Sequence, residues 1–190
     1  MVDVGGRFGN ERLILVDESG TPVGTESKQR CHEGEGLLHQ AFSVYLFDER
    51  ARLLTQQRSL NKPLWPGFWS NSCCSHPRAG EALDAAAHRR VCEELGFETE
   101  LFPIFTFRYA APFPPVGCER EVCTVYIGRA GVVGEVDSRE LSALRFSEGH
   151  ELDALLEDDA GPYTPWFRIA WRKLRAEYWE RVVALPEGGA

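Results

Sequence analysis

Three histidines and two glutamates supply the residue types of a metal site. His32 and His39 lie seven positions apart, and His76 falls in the irregular segment C-C-S-H-P. Glu119 and Glu121 are two positions apart at the start of a predicted strand, so both should face the same side of a sheet. Three imidazoles and two carboxylates make five ligands with room for a sixth, which suits a six-coordinate ion such as Mn²⁺. Any one of these histidines taken alone is better explained as an ordinary core or surface residue.

Cys74 is the candidate proton-exchanging group of the same segment. Trp65, Trp69 and His76 lie close to it in the sequence. A thiol beside a bound cation can have a lowered pKa, so we expect Cys74 to exchange a proton at neutral pH. An alternative is a structural zinc site of Cys73, Cys74 and His76, although adjacent cysteines lack the usual C-x2-C spacing.

A third group of charges lies on EALDAAAHRRVCEEL at 81–95, which good helix formers and the closing Gly96 predict to be a helix. The spacing S-x5-E-x7-R-R-V-C-E-E-L-G-F, starting at Ser75, resembles the Nudix box, with serine for its first glycine and Arg90 for a glutamate. Carboxylates on such a helix can hold Mg²⁺ against a diphosphate. Arg90 and Glu94 share a face and can point at one phosphate. The alternative is an ordinary charged helix with i to i+4 ion pairs.

The surrounding elements predict an α/β (α+β) fold in which a mixed sheet is flanked by helices. Gly- and Pro-punctuated apolar runs indicate an N-terminal hairpin at 12–24 and a second hairpin at 41–59, followed by an ordered loop at 60–80. Further predicted elements are strands near 101–109, 121–128 and 143–146, a short helix near 148–157 and a long amphipathic helix from 163 or 164 to 183. With no repeat or linker, we expect one domain over 1–190 with an ordered core at about 12–183.

Composition narrows the classes of partner. The chain has 190 residues and a net charge of −8, from 29 acidic and 21 basic residues, so a nucleic-acid surface is not expected. We expect no membrane segment, because no stretch approaches the roughly 18 apolar residues that a span requires. The start of the sequence lacks the apolar core of a signal peptide, and the six cysteines then indicate reduced thiols in a cytoplasmic protein.

Six motifs in order carry a resemblance to a known family. They are H-x6-H-x-A-F, R-x3-K-x2-W-P-G-x-W-x-N-S-x-C-x-H-P, the altered Nudix helix, F-R-Y, E-x-E-V-C and T-P-W, and together they cover roughly residues 12–175. In this respect the chain resembles the type I isopentenyl-diphosphate isomerases. The resemblance implies a Nudix-like fold and the isomerisation of isopentenyl diphosphate to dimethylallyl diphosphate in isoprenoid biosynthesis. The loss of a Nudix glutamate at Arg90 agrees with isomerisation in place of hydrolysis.

The resemblance also implies catalytic roles. Cys74 and Glu121 would add and remove protons on opposite faces of the substrate. Tyr109 of F-R-Y would hydrogen-bond to Glu121. Trp166 of T-P-W would present its indole face to the carbocation that alkene protonation creates. From the residues alone, Trp166 is better explained as a core aromatic at the start of a helix, and both roles are compatible.

Metal and substrate ligands follow from the same resemblance. Glu94 would help to hold a second Mg²⁺ on the diphosphate. The ligands of the first ion, Mn²⁺ or Mg²⁺, would be His32, His39, His76, Glu119 and Glu121, and the diphosphate would also meet Lys28, Arg58, Lys62 and Arg90. These cations would let an acidic protein bind an anionic small molecule.

Two other functions stay open at this point. One is a Nudix pyrophosphohydrolase acting on another diphosphate, for which Cys74 would be dispensable. The other is a non-enzymatic diphosphate sensor, which would bind without turnover and would have no use for both Cys74 and Glu121. We expect the protein to be a monomer or a weak homodimer.

Overall fold

A mixed sheet of nine strands, together with five helices, makes up the described part of the chain, residues 11–186 of a computed structural model. The predicted domain over 1–190 extends into residues 1–10 and 187–190, which lie outside the described residues. In chain order the elements are β1 Arg12–Val16, β2 Pro22–Ser27, α1 Lys28–His32, β3 His39–Phe47, β4 Leu53–Arg58, β5 Trp69–Ser70, β6 Cys73–Ser75, α2 Leu83–Leu95, β7 Leu101–Phe113, β8 Gly117–Arg129, β9 Leu141–Ser147, α3 Gly149–Glu157, α4 Pro165–Glu177 and α5 Trp179–Val183.

Strand β3 is the centre of the sheet, as its almost uninterrupted apolar sequence favours. It runs parallel to β8 from the His39–Glu121 pair to the Phe47–Arg129 pair, and β6 pairs with it antiparallel on the other side. β8 continues into a long antiparallel hairpin with β7. The predicted hairpin at 41–59 is joined only at its turn end, because β4 leaves β3 there and pairs with β5 and β9.

Alternate side chains of β3 belong to two separate hydrophobic cores. Phe42, Val44 and Leu46 pack with the apolar stripe of α2, whereas Ala41, Tyr45 and Phe47 pack with the residues of α3 and α4. Successive strand residues point to opposite faces, so a strand buried on both faces divides its side chains in this way. The confirmed architecture is a mixed sheet with helices on both faces. No helix of residues 11–186 is long and apolar enough to cross a membrane.

The predicted helix at 81–95 is present as α2, which begins two residues later, at Leu83. Gly96 ends it in the left-handed conformation with φ of 76°, and its N–H bonds to the Cys92 carbonyl. Glu81 belongs to the turn before the helix, where its carboxylate accepts from the Arg78 N–H.

One helical prediction was wrong in detail, and one short helix was not predicted. The long C-terminal helix breaks at Tyr178, between α4 and α5. Adjacent residues of a straight helix point about 100° apart. The break allows Tyr178 to stack on Phe105 at 5.1 Å while Trp179 packs edge-on against Phe47 at 5.9 Å. The polar segment before β3 contains a short helix, α1, that the sequence analysis did not predict.

Candidate active site

The five predicted metal ligands come together at one end of β3. His32 ends α1, His39 begins β3, His76 directly follows β6, and Glu119 and Glu121 lie on β8. The parallel register places His39 opposite Glu121. One ligand atom from each of the five residues lies within 4.8 Å of all the others. The structure therefore assembles residues that are up to 89 positions apart in the sequence into one cluster that could hold a metal ion.

Two of the three histidines of this cluster turn Nε2 toward the other ligands because their Nδ1 atoms are already bonded. Nδ1 of His32 lies 2.6 Å from the Lys28 carbonyl, and Nδ1 of His39 lies 2.7 Å from the Leu37 carbonyl. Because a carbonyl can only accept, each Nδ1 carries a hydrogen, which leaves Nε2 as the ring atom that could bind a metal in the neutral imidazole. Nε2 of His39 is buried and has no hydrogen-bond partner among the described residues. A divalent cation fits this unpartnered atom and the carboxylates around it.

The ionisation states of His76, Glu119 and Glu121 suit a cation as well, whereas the neighbouring Glu119 outweighs burial and raises the pKa of His32. Burial, reinforced by the neighbouring His39, lowers the pKa of His76 well below its ordinary value, so the ring is neutral. Burial acts to raise the pKa of Glu119, but the adjacent His32 outweighs it and the pKa is lowered. The pKa of Glu121 is lowered in the same way, with His39 and Tyr109 opposing the effect of burial. Neutral imidazoles and ionised carboxylates are the ligand forms of these side chains.

Glu121 is held by two hydrogen bonds. The Tyr109 hydroxyl, on β7 directly opposite, donates to Glu121 Oε2 at 2.6 Å, which confirms the predicted contact. His76 Nε2 lies 2.8 Å from the other oxygen, Oε1. The carboxylate is thus fixed at both oxygens, which a group that must meet a substrate hydrogen in one geometry requires.

Cys74 and Cys73 point to opposite sides of β6. Cys73 packs in the core beneath α2, whereas Cys74 packs with the core on the other face. The alternative zinc site of Cys73, Cys74 and His76 is therefore wrong. The expected lowered pKa of Cys74 is also wrong, because burial raises it to about 11. At neutral pH the thiol keeps its proton, which is the form of a proton donor.

One cavity of about 670 Å³ connects these groups. Its lining includes His32, His76, Glu119, Glu121, Tyr109, Cys74 and Trp166 together with the cationic side chains Lys28, Arg58, Lys62 and Arg90. The thiol, the carboxylate and the indole thus share one space with these four cations and with Arg139. A cavity of this volume is in the range of small-molecule sites.

Trp166 lies in the first turn of α4, after Thr164 and the helix-starting Pro165. Its indole packs edge-on against Trp65 at 5.2 Å. The Arg58 guanidinium lies 5.3 Å from the indole centroid and donates to the carbonyls of Leu64 and Trp65. Trp65 has a left-handed backbone conformation, with φ of 47°, and its carbonyl accepts from Arg58 in that conformation.

Comparison with known proteins assigns the chain to a family. The family model described as NUDIX domain matches residues 37–167. An isopentenyl-diphosphate Delta-isomerase of Burkholderia multivorans is 44% identical over 157 residues, which are 83% of this chain and 89% of that protein. The isopentenyl-diphosphate Delta-isomerase 2 of Photorhabdus laumondii is 39% identical over 92% of this chain and 99% of its own length. The chain belongs to the isopentenyl-diphosphate isomerase family.

Solved structures agree on the fold of this family member. The DR0079 protein of Deinococcus radiodurans superposes with a TM-score of 0.70 and 22% identity, covering 86% of this chain and 98% of that one. A MutT protein of Methanosarcina mazei gives a TM-score of 0.57 and 19% identity, covering 74% and 94%. At this level of identity the likeness concerns the fold alone. It confirms the Nudix architecture.

The altered Nudix helix of this isomerase-family chain forms ion pairs within the protein. Arg90 Nη2 lies 2.5 Å from Glu94 Oε1 and 2.9 Å from Glu140 Oε1, and Nη1 lies 2.8 Å from Glu93. The predicted shared face of Arg90 and Glu94 is confirmed, but the two groups point at each other. Among the described residues that line the cavity, Arg90 and Glu140 are present and Glu94 is not. The role of Glu94 as a Mg²⁺ ligand stays a prediction.

Glu140 is the buried charged residue among the lining residues that sequence reasoning missed, which also include Glu33 and Arg139. It is buried and contacts both Arg90 and the Lys62 ammonium. Burial acts to raise its pKa, but Lys62 and Arg90 outweigh burial and leave it at about 2. No motif marks this glutamate, since it directly precedes β9 in an ordinary charged segment, 50 positions from Arg90. Only the packing of β9 beside β4 brings it to the site.

Proposed function

We propose that this chain isomerises isopentenyl diphosphate to dimethylallyl diphosphate. One observation carries the proposal: a protonated thiol, an ionised carboxylate and an indole line the same cavity, which five cationic side chains also line. The substrate has both parts that such a cavity would recognise, a small apolar alkene and a diphosphate. The relatives that bear this activity in their names are similar over most of the chain.

The resting protonation states assign the two proton transfers. Cys74 keeps its proton and gives it to the terminal CH₂ of the alkene, leaving a tertiary carbocation at the adjacent carbon. Glu121 is ionised and removes a proton from the CH₂ that is bonded to the cationic carbon on its diphosphate side, so the double bond forms one position along the chain. One proton is added and one is removed. The proton on Glu121 must return to Cys74 or to solvent before the next turnover.

Trp166 and its aromatic neighbours would stabilise the carbocation and shield it from water. An indole face attracts a desolvated cation by about 2 kcal/mol and carries no nucleophile that would trap it. Trp166 is buried beside Trp65 and Tyr109, so the alkene end of the cavity has apolar walls. The Arg58 guanidinium lies over the same indole. When Arg58 binds the diphosphate, its guanidinium would move away from the carbocation.

Divalent cations complete the site in this proposal. His32, His39, His76, Glu119 and Glu121 would hold Mn²⁺ or Mg²⁺, which supplies positive charge that fixes the two carboxylates when bound. A second Mg²⁺ on the diphosphate would use Glu94, once its ion pair with Arg90 opens. The diphosphate oxygens would also meet Lys28, Arg58, Lys62 and Arg90.

Three organisational features belong to the same proposal. The chain acts as one domain, since β3 and β8 carry site residues and both cores are built on them. The partner is a small-molecule diphosphate, with no requirement for nucleic acid or membrane. A monomer or weak homodimer acting in the cytoplasm stays a prediction.

The direct test is to incubate the purified protein with isopentenyl diphosphate and Mg²⁺ and to measure dimethylallyl diphosphate. Cys74→Ala should remove turnover, whereas Cys92→Ala, on the outer face of α2, should leave it unchanged. No product from the wild type, or full activity in Cys74→Ala, would refute the proposal. Phosphate release would favour the pyrophosphohydrolase, and binding without product would favour the sensor.

A further inference from the structure

A small buried polar network lies beneath the alkene end of the cavity. Its members Ser70, Asn71 and Thr164 are all fully buried, and none belongs to the predicted site. The network joins the thiol of Cys74 to the indole of Trp166, two groups that are 92 positions apart in the chain. Buried polar groups that satisfy one another completely hold side chains in a single arrangement.

Asn71 connects the strands to the thiol. Its amide Nδ2 donates both hydrogens, at 3.0 Å each, to the carbonyls of Val44 on β3 and Cys73 on β6. These two bonds fix the amide plane and turn Oδ1 toward Cys74. The Cys74 thiol donates to that oxygen at 2.9 Å. One rigid amide therefore fixes the position of the thiol relative to the backbone of the central sheet.

Ser70 connects the same oxygen to the indole. Its hydroxyl donates to Asn71 Oδ1 at 3.1 Å, and the Trp166 Nε1–H donates to Ser70 Oγ at 3.1 Å. Since the single hydroxyl hydrogen of Ser70 is used on Asn71, the Thr164 hydroxyl, 2.9 Å away, must be a donor to Ser70. Every polar side-chain atom of Ser70 and Asn71 then takes part in a hydrogen bond. The start of α4 is tied to the loop before β6.

We propose that Ser70 and Asn71 are positioning residues that set the Cys74 thiol and the Trp166 indole relative to each other across the alkene. The inference rests on the proposed function. A proton donor and a cation-stabilising face must address adjacent carbons of one small substrate, and a misplacement of about 1 Å can cost on the order of 100-fold in rate. The diphosphate end does not touch this network, so substrate affinity should be little affected.

Ser70→Ala is the principal test. We expect kcat to fall by about 10- to 100-fold while KM for isopentenyl diphosphate stays within about twofold. Ser70→Thr keeps the hydroxyl and should restore most of the rate. Ser72→Ala is the matched control, because Ser72 is equally buried and makes two backbone hydrogen bonds, at 2.6 and 2.8 Å, that do not reach Cys74 or Trp166. It should lower stability and leave kcat unchanged.

A double-mutant cycle isolates the link to the indole. Trp166→Phe keeps an aromatic face but lacks the N–H that bonds to Ser70. If the two residues act through that bond, the double variant should lose about as much kcat as the more impaired single variant, and the coupling should be about tenfold or more. The inference would be overturned if the kcat losses of the two single variants simply multiplied in the double variant. It would also be overturned if Ser70→Ala kept kcat within about twofold of the wild type.

Alkylation of Cys74 by iodoacetamide gives a readout that needs no turnover. Its rate, followed by mass spectrometry of the Cys74 peptide, should change by at least about threefold in Ser70→Ala and not in Ser72→Ala. An unchanged rate would overturn the inference even if the enzyme were inactive. Failure of the wild type to isomerise, with an altered alkylation rate, would overturn the proposed function and support the positioning role.

Discussion

At the His/Glu end of the cavity, two ionised carboxylates face three imidazoles, and the His39 Nε2 atom is buried without a hydrogen-bond partner among the described residues. At the cationic end, Glu94 and Glu140 already contact Arg90, and Glu140 also contacts Lys62. The first end could therefore take up an added cation, whereas the second carries its cations and their counter-charges within the fold. Carboxylates that face imidazoles could bind a metal in one place, and carboxylates that face Arg90 and Lys62 form an ion-pair network in the other.

The largest expected effect is at Glu121. Glu121→Gln should lower kcat by about 10²- to 10⁴-fold, because an amide cannot take up the substrate proton. Tyr109→Phe, which removes only the hydrogen bond to Glu121, should cost about tenfold. Steady-state turnover measures both, with Glu18→Gln, an exposed surface glutamate, as the control. A Glu121→Gln enzyme that kept more than about a tenth of the rate would exclude the proposed base.

Two neighbouring arginines of α2 test the cationic end. Arg90→Ala leaves the buried Glu94 without its ion-pair partner and the buried Glu140 with Lys62 alone, and it should lower the free energy of unfolding by about 3–5 kcal/mol. Arg89→Ala breaks the bidentate, partly exposed pair with Glu81 and should cost about 1 kcal/mol or less. Urea unfolding measures both. Equal losses would show that the Arg90 network is not a buried unit.

The His/Glu end should respond to added metal. Mn²⁺ at about 100 times its dissociation constant should stabilise the wild type by about 2.7 kcal/mol, because the ion binds the folded cluster. His39→Ala should remove most of that increment, whichever way it changes the starting stability. His88→Ala, on the exposed face of α2, is the matched control and should keep the increment. Thermal melts with and without the ion, together with metal analysis, measure it. A metal response that survives in His39→Ala would contradict the assignment of the ligands.

The smallest expected effect is at Glu140. Glu140→Gln removes a negative charge beside Lys62 and Arg90, so inorganic diphosphate should bind about three- to tenfold more tightly. Glu177→Gln, an exposed glutamate of α4 that pairs with Lys173, should not change the affinity. Isothermal titration calorimetry measures the dissociation constants. Weaker binding in Glu140→Gln would mean that this carboxylate acts mainly by holding the two cations in place.

Local pattern was sufficient for the most regular parts of the molecule. The two-residue spacing of Glu119 and Glu121 predicted a shared face of a strand, and β8 presents both carboxylates to the cluster. Helix α2 and its glycine stop followed from residue types alone. The five-residue helix α1 was missed, because so short a segment shows no helical period.

Other features depend on contacts that no local pattern records. Glu140 reaches Arg90 only because β9 packs beside β4. The expected lowered pKa of Cys74 was wrong, because burial outweighs the neighbouring groups that lower it and raises the pKa to about 11. The break at Tyr178 arises from two aromatic contacts with the sheet, which a helical stripe in the sequence cannot foresee.

The sequence by itself determined which ligands, thiol and aromatic groups are available, in which order they occur, and which of them share a strand face, because backbone periodicity is a local property. The tertiary structure alone decided that β3 lies between β6 and β8, so that Cys74 and the His/Glu cluster open into one cavity. It also decided which charged side chains form ion pairs within the protein and which could bind an added cation. Those outcomes depend on burial and on contacts between residues far apart in the chain. Such contacts form only when the sheet and its helices fold together.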